Sequence, residues 1–375
     1  MNIFVICGTR PEVIKMAPLV LGGLETSGLN ISLCVTGQHR EMLDQALGLF
    51  QLIPDHNLDI MQVGQDLSDI TANILLGLRN IFKSNCPDLV LVHGDTTTTL
   101  SAAMAAFYAS IPVMHIEAGL RTGNIFSPWP EEANRKLVSG LASRHYAPTE
   151  SAKYNLLQEN ISPNDIVVTG NTVIDALKLI DSKIDTDNEI IKRLERRFNF
   201  LNHAKKLILV TGHRRENFGK GFANICHALK NIANRKEVQI VYPVHMNPNV
   251  TKPVHDILGG TDNIHLIEPL EYLPFIYLMK QCDFIITDSG GIQEEAPALG
   301  KPVLVTRSTT ERPEAVEAGT VLLVGTDAIK IENTASRLLD DTIFYESMSV
   351  ANNPYGDGNA GKLILEDIKK WQLPL

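Results

Sequence analysis

Acidic side chains in the first half of this sequence stand at points where predicted strands end. Asp95 and Glu117 each follow a short apolar run closely, and Glu131 opens a predicted helix behind a proline-rich turn. Carboxylates that share one site raise one another's pKa toward neutrality, as general acid–base chemistry requires. The residue types therefore predict proton transfer at this edge of a sheet, although a single carboxylate there is more often a helix cap or a solvated charge.

A glycine-rich turn in the second half predicts a phosphate site. Ser289, Gly290 and Gly291 stand between an apolar run and a helix, where free backbone N–H groups and the helix dipole attract an anion. Glu295, one turn further on, is placed to bind ribose hydroxyls. The sequence lacks the lysine of a P-loop and the GxGxxG of a dinucleotide-binding turn, which argues against ATP hydrolysis and nicotinamide redox chemistry. Positive charge for the anion is predicted at Arg10, Lys15, His213 and Arg312.

The elements that must position these residues alternate along the chain. Apolar runs typical of buried parallel strands occupy residues 3–7, 31–36, 88–92, 112–116, 145–147 and 166–168, and then 207–210, 239–244, 264–267, 284–287, 303–306 and 321–324. Longer amphipathic segments separate the runs, for example residues 41–50, 67–82 and 97–108. The pattern predicts two doubly wound parallel-sheet domains, with ligands at the carboxyl ends of the strands. We expect domains at 1–169 and 170–356, with residues 357–375 packing back on the first.

Composition excludes several classes of protein. The chain has 375 residues, of which 44% are hydrophobic and 21% are charged, so it is not a disordered chain. A net charge of −9 argues against a nucleic-acid partner and against a polybasic membrane surface. The five cysteines and 11 histidines show no metal-ligand spacing, so no metal site is predicted. Neither a signal peptide nor an apolar run of about 18 residues is present, and we expect a cytoplasmic protein.

Seven longer motifs occur in order along the chain: GTRPE (8–12), VHGDTTT (92–98), HIEAGLR (115–121), PEEANR (130–135), TGHRREN (211–217), TDSGGIQEE (287–295) and TERPE (310–314). Together they resemble the motifs of the non-hydrolysing UDP-N-acetylglucosamine 2-epimerases of bacteria. The resemblance extends from Ile3 to Asn359, which is nearly the whole chain.

The resemblance implies a fold of the glycosyltransferase-B type, two Rossmann-like domains with UDP in the cleft between them, and no cofactor. It implies reversible conversion of UDP-GlcNAc into UDP-ManNAc through elimination of UDP, an enzyme-bound 2-acetamidoglucal, and re-addition of UDP. The implied catalytic residues are Asp95, Glu117, Glu131 and His213, and the motifs leave open which carboxylate removes the C2 proton. The implied substrate contacts are Arg10, Lys15, Ser289, Gly290, Gly291 and His213 for the diphosphate, Glu295 for ribose, Leu270 and Phe275 for uracil, and Arg312.

Some members of this family bind a second substrate molecule as an activator, and six residues match that region in part: Gln38, His39, Glu41, Gln65, Arg214 and His245. The resemblance also implies a homodimer that supplies surface polysaccharides, among them enterobacterial common antigen or teichoic-acid linkage units. Three alternatives remain. They are a UDP-sugar glycosyltransferase of the same fold, a hydrolysing epimerase that releases ManNAc and UDP, and a nucleotide-sugar sensor without turnover, which three acids beside an anionic ligand disfavour.

Overall fold

The computed structural model of the chain describes residues 1–37, 40–62, 64–350 and 352–371, with residues 40 and 41 described by their backbone. The chain forms two compact units. Unit 1 contains Met1–Leu179 together with the C-terminal segment from Tyr355, and unit 2 contains Ile180–Pro354. Of the helices in the described part of the chain, none combines the length and the hydropathy that spanning a bilayer requires.

Unit 1 is built on a parallel sheet. Its strands are β1 (Asn2–Cys7), β2 (Asn30–Val35), β3 (His56–Asn57), β4 (Leu89–His93), β5 (Val113–Ile116), β6 (Arg144–Ala147) and β7 (Ile166–Val168). Their order across the sheet is β3-β2-β1-β4-β5-β6-β7. The helices of this part are α1 (Arg10–Glu25), α2 (Arg40–Phe50), α3 (Leu67–Asn85), α4 (Thr97–Tyr108), α5 (Glu131–Leu141), α6 (Glu150–Gln158) and α7 (Thr172–Thr186). The order reverses between β1 and β4, where the connections diverge and open a crevice at the carboxyl edge.

Unit 2 repeats the same topology. Its strands are β8 (Lys206–Thr211), β9 (Val238–Pro243), β10 (Ile264–Ile267), β11 (Phe284–Thr287), β12 (Val303–Val305) and β13 (Val321–Leu323), in the order β10-β9-β8-β11-β12-β13. The helices that follow α7 are α8 (Asn188–Arg197), α9 (Lys220–Ala233), α10 (Pro248–Leu258), α11 (Tyr272–Gln281), α12 (Gly290–Ala298), α13 (Pro313–Glu317), α14 (Ala328–Asp340), α15 (Thr342–Ser349) and, in unit 1, α16 (Ala360–Lys370). The strand order reverses between β8 and β11.

The predicted fold class, two doubly wound parallel-sheet domains, is confirmed. Every predicted strand is present, and its ends differ from the prediction by no more than one residue. The strands were predictable because their side chains are buried on both faces and read as continuous apolar runs. Strand β3 was not predicted, because it has only two residues, His56 and Asn57, which pair with the end of β2 and form no apolar run.

The boundary between the two units lies inside α7, after Leu179, whereas we expected it after residue 169. The first half of α7 belongs to unit 1 because Ile174 and Leu177 are buried there and Asp175 accepts the backbone N–H of Gly361 at 2.8 Å. This bond attaches α7 to the start of α16.

The C-terminal helix α16 is anchored in unit 1 by an ion pair as well as by packing. Arg144, the first residue of β6, pairs with Asp367 at 2.5 Å, and the Tyr146 hydroxyl donates to the same carboxylate at 3.0 Å. Ile364 and Ile368 of α16 are fully buried. The helix is therefore part of unit 1 although unit 2 precedes it in the sequence.

Candidate active site

The buried carboxylate of Glu12 joins the segments that follow β1 and β4. We call the segment that follows the carboxyl end of a strand its exit loop. Thr9 and Glu12 form a capping box at the start of α1. Glu12 Oε2 accepts the backbone N–H groups of Gly8 at 2.8 Å and Thr9 at 2.7 Å. Glu12 Oε1 accepts the hydroxyls of Thr96 at 2.6 Å and Thr99 at 3.1 Å. Both exit loops at the crevice of unit 1 are thus held by one side chain.

Arg10 is the first residue of α1 and is half-buried. The turn before it requires glycine, because a Cβ on Gly8 would lie 2.0 Å from Thr98 Oγ1. Within the described residues no carboxylate pairs with the Arg10 guanidinium. Its predicted role as a diphosphate ligand stays a prediction, and the structure places it at the carboxyl edge of β1.

Glu117, directly after β5, is contacted by groups from three other elements. Lys15 Nζ of α1 donates to Glu117 Oε2, and Asn171 Nδ2 of the β7–α7 turn donates to the same oxygen at 2.9 Å. His93 Nε2 of β4 lies 3.6 Å from that oxygen. The backbone of Glu117 has φ 58°, a left-handed conformation that residues other than glycine adopt at a cost in strain. The surrounding contacts hold this conformation in place.

The electrostatic environment of Glu117 favours the ionised carboxylate. Burial opposes ionisation, but the Lys15 ammonium and His93 outweigh it and hold the pKa of Glu117 well below its usual range. We expected crowded carboxylates to raise one another's pKa, and for Glu117 that expectation is wrong, because the group in contact is a lysine. Glu117 is therefore a carboxylate at neutral pH.

Asp95, at the carboxyl end of β4, is held by the helix α5. Arg135 Nε and Nη2 lie 2.9 and 2.6 Å from Asp95 Oδ2, and Asn134 Nδ2 donates to the Asp95 carbonyl at 2.8 Å. Burial disfavours the charge on Arg135, but Asp95 and Glu132 outweigh it and raise the pKa of the guanidinium. The Asp95 side chain is 27% exposed, so it is accessible to a ligand although it is ion-paired.

The two glutamates that open α5 have different environments. Glu132 is fully buried and its carboxylate accepts the backbone N–H groups of Thr122 and Gly123, each at 3.1 Å. Glu131 Oε2 is also buried, but it has no hydrogen-bond donor among the described residues. Buried polar atoms in folded proteins nearly always have a partner, so an oxygen of this kind is typical of a functional site. The Glu132 carboxylate is thus occupied by donors of the protein, whereas Glu131 Oε2 has none among the described residues.

Asp288 joins the exit loops of unit 2 in the way that Glu12 joins those of unit 1. Its side chain is completely buried at the end of β11. Asp288 Oδ2 accepts the backbone N–H groups of His213 at 2.9 Å and Arg214 at 2.8 Å, which lie in the exit loop of β8. Asn217 Nδ2 lies 3.3 Å from the same oxygen. The loop with the predicted anion ligand His213 is thereby fixed at the crevice of this unit.

The imidazole of His213 stacks on that of His245, with ring centroids 5.7 Å apart. Burial lowers the pKa of His213, Asp288 opposes this, and Arg214 and His245 add to the lowering. A bound anion would raise this pKa again, because it favours the charged imidazolium. Arg214 Nε is buried without an acceptor among the described residues. The structure thus places two predicted activator residues, Arg214 and His245, beside His213.

The start of α12 has the form of an anion site. Ser289 precedes the helix without a side-chain cap, and Gly290 and Gly291 form the first turn. A Cβ on Gly290 would lie 2.6 Å from Arg312 Nη1, so glycine lets the guanidinium lie against this turn. Glu294 accepts from Arg312 Nε at 2.5 Å and fixes its orientation. Backbone N–H groups, a helix dipole and a guanidinium at one place suit a phosphate.

Glu295, the predicted ribose ligand, is hydrogen-bonded to the helix α11, which carries Phe275, a predicted uracil contact. Tyr272, the first residue of α11, donates its hydroxyl to Glu295 Oε1 at 2.6 Å. Burial and the Glu295 charge raise the pKa of Tyr272 well above its usual value, so the phenol stays a donor. Leu270 lies just before this helix and Phe275 in its first turn, and both are half-buried.

Three of the predicted activator residues cannot be placed by their side chains. Gln38 and His39 lie outside the described residues, as does the side chain of Glu41, whose backbone belongs to α2. Gln65 bonds within its own loop, since its Oε1 accepts the N–H of Gln62 at 3.2 Å. These residues therefore stay predictions.

Several residues without a predicted role contact the predicted ones, and Glu12 holds the loops that carry them. The residues in direct contact include His93, Asn134, Arg135, Asn171, Tyr272, Asp288 and Glu294. The Thr-x-x-Glu capping box was a local signal for Glu12. The contacts of His93 and Asn171 depend on which strands are neighbours in the sheet, and no local pattern reports that. In the described part of the chain, no group of three or more His, Cys, Asp or Glu side chains is arranged to hold a metal ion.

Comparison with known proteins gives consistent matches over the whole chain. The profile of the family described as UDP-N-acetylglucosamine 2-epimerase matches residues 24–369. Proteins named UDP-N-acetylglucosamine 2-epimerase from Yersinia pestis and Escherichia coli K12 are 57% and 56% identical, with 100% of each chain covered. The crystal structure of a UDP-GlcNAc 2-epimerase from Neisseria meningitidis bound to UDP-GlcNAc is 52% identical, with a TM-score of 0.93, covering 99% of this chain and 100% of that one.

The lowered pKa of Glu117 predicts a pH-dependent contribution to stability. An unfolded glutamate has a pKa of about 4.3, so the contribution of the ionised carboxylate is fully present above this pH and is lost as the pH falls through the lower folded pKa. We expect Glu117→Gln to lower the free energy of unfolding by ~2 kcal/mol at neutral pH, as for a lost charged hydrogen bond. The difference from the wild type should shrink below about pH 4.

Urea denaturation at a series of pH values measures this difference, and Glu25→Gln is the matched control, because Glu25 is exposed at the end of α1. A difference between wild type and Glu117→Gln that stays constant from neutral pH down to the acid limit of folding would contradict an ionised Glu117.

Proposed function

Because the chain belongs to the UDP-N-acetylglucosamine 2-epimerase family, we propose that it interconverts UDP-GlcNAc and UDP-ManNAc at C2 of the sugar without hydrolysing them. The observation that carries the proposal is the set of carboxylates at the carboxyl edge of unit 1. Glu117 is ionised, Asp95 is accessible and bound to Arg135, and Glu131 has a buried oxygen without a protein donor. These carboxylates are the acids and bases that inversion at an unactivated carbon needs.

The proposed reaction is an elimination followed by an addition. A carboxylate removes the C2 proton, the C2–H electron pair forms the C1–C2 double bond, and the C1–O bond breaks so that UDP leaves with its electrons. The intermediate is 2-acetamidoglucal with UDP still bound. Protonation of C2 on the opposite face and re-addition of the UDP oxygen at C1 give the epimer. The reaction consumes no water and involves no net change of oxidation state.

Unit 1 is assigned the proton transfers. A base must be deprotonated before it acts, and the contact with Lys15 keeps Glu117 in that state. Proton transfer to the new face needs a second group, for which Asp95 and Glu131 are available. Lys15, which we expected at the diphosphate, is then a group that sets the charge state of Glu117, and Arg10 stays the proposed diphosphate ligand of this unit.

Unit 2 is assigned the leaving group. Negative charge develops on the diphosphate as the C1–O bond breaks, and groups already aimed at it stabilise the transition state. The N–H groups of Gly290 and Gly291, the Arg312 guanidinium and His213 are proposed to do this. The resemblance adds Glu295 as the ribose ligand, Leu270 and Phe275 as the uracil site, and a cytoplasmic homodimer that serves surface-polysaccharide synthesis.

The source of the C2 proton tests the reaction. Incubation with UDP-GlcNAc alone in deuterated water should give UDP-ManNAc with deuterium at C2, because the removed proton exchanges with solvent before C2 is protonated again. Proton NMR of the mixture follows this directly. Epimer that carries no solvent label would contradict the proposed proton transfer. Free ManNAc with UDP would indicate a hydrolysing enzyme, and no turnover without an added acceptor would indicate a glycosyltransferase.

The role of Asp95 predicts separate effects on turnover and binding. Asp95→Asn should lower kcat about 100-fold or more, because a positioned acid or base contributes that much. The Kd for UDP should change less than about threefold, because the phosphate-binding turn assigned to UDP belongs to unit 2, a change worth under ~1 kcal/mol. Steady-state kinetics and titration calorimetry measure the two quantities.

The matched control is Asp256→Asn, an exposed aspartate in α10, which should keep wild-type turnover. Wild-type turnover of Asp95→Asn would remove Asp95 from the catalytic group, and equal losses in turnover and UDP binding would make it a binding residue.

A further inference from the structure

Asn171 is a buried residue in the turn between β7 and α7, and three of its hydrogen bonds fix its position and the orientation of its amide. Its backbone N–H donates to the Tyr355 carbonyl at 2.8 Å. Its Oδ1 accepts the N–H of Val173 at 3.0 Å, and its Nδ2 donates to Glu117 Oε2 at 2.9 Å. Because a backbone N–H only donates, the Val173 contact fixes which end of the amide is oxygen. The amide N–H₂ therefore faces the Glu117 carboxylate.

The backbone of this turn is held by the segment through which the chain returns to unit 1. Gly170 has φ 85°, and a Cβ there would lie 3.1 Å from the Tyr355 carbonyl oxygen and 3.3 Å from Gly356 Cα. Gly356 has φ 104°, and a Cβ there would lie 3.2 Å from Gly170 Cα. Two glycines thus let the segments touch backbone to backbone, and the position of Asn171 is set by this contact.

We propose that Asn171 is a positioning residue that fixes the orientation and the ionised state of the Glu117 carboxylate. The inference rests on the proposed function for its catalytic meaning. The charged or titratable groups that face Glu117 are Lys15 from α1 and His93 from β4. Asn171 adds a neutral donor from the β7–α7 turn, so the same oxygen is approached from three elements. The backbone of Glu117 has φ 58°, a strained conformation that persists only where the surrounding structure holds it.

Aspartate has nearly the same shape as asparagine, so Asn171→Asp changes the charge at this position and little else. Aspartate would keep an oxygen for the Val173 N–H, and so would keep the turn, but it would place a second carboxylate against Glu117. Two carboxylates in contact share a proton, and one of the pair then titrates at a higher pH. Asn171→Asp is therefore a test of the Glu117 contact that leaves the local backbone bond intact.

The experiment is the pH profile of kcat/KM for the wild type, Asn171→Asp and Asn202→Asp. Asn202 is the matched control, because it is exposed and its Oδ1 likewise accepts a backbone N–H two residues on, that of Ala204 at 3.0 Å. The acid limb of Asn171→Asp should move up by at least about one pH unit, so that on the acid side of the limb activity is about tenfold lower than that of the wild type and recovers as the pH rises. Asn202→Asp should match the wild type. An acid limb of Asn171→Asp at the wild-type position would overturn the inference, even if kcat fell.

Two further arms keep the test decisive. If Asn171→Asp does not fold, Asn171→Ala removes the donor without adding a charge, and its acid limb should move up by a smaller amount; an unmoved limb overturns the inference.

If the wild type does not epimerise UDP-GlcNAc, the proposed function fails by itself. The contact is then tested by thermal unfolding, where Asn171→Asp should lower Tm much less in the Glu117→Gln background than in the wild type. Additive losses in Tm would overturn the inference.

Discussion

A carboxylate buried at the carboxyl edge of a parallel sheet must find hydrogen-bond donors in the neighbouring exit loops, and both units are organised by this requirement. Glu12 collects donors from the loops after β1 and β4, and Asp288 collects them from the loop after β8. Each lies where the strand order reverses and the loops diverge. Breaking such a contact leaves a buried carboxylate without donors, so the loops that carry the candidate active site are fixed by the fold itself. A site of this kind needs little reorganisation when charge develops in it.

The distribution of charge explains how several acids can serve a reaction on an anionic substrate. Glu117 has Lys15 as its partner and Asp95 has Arg135, so these carboxylates are compensated inside unit 1. The groups suited to a phosphate, the first turn of α12 and Arg312, belong to unit 2. The net charge of −9 is a sum over the whole chain and therefore says little about the local potential at either place.

Local patterns predicted most of the fold, and non-local contacts account for what they missed. Strands buried on both faces read as apolar runs, while β3, with two polar residues, gives no such signal. Candidate acids were predictable from their position after strands, and the structure adds that Glu131 has an oxygen without a protein donor. The direction of the Glu117 pKa was predicted wrongly, because Lys15 lies 102 residues away in the sequence and meets Glu117 only in the folded sheet. The bond between Asn171 and Glu117 depends in the same way on the order of the strands.

The central claim is that the bond between C1 of the sugar and the β-phosphate oxygen breaks and re-forms while UDP stays bound. UDP-GlcNAc with ¹⁸O in that bridging position tests it most directly, with ³¹P NMR of the substrate recovered before equilibrium. The account predicts that the label moves into the non-bridging positions of the β-phosphate, since the released phosphate can rotate before it adds back to C1. Inversion at C2 with the label still wholly in the bridge would contradict the account, because the C1–O bond would then never have broken.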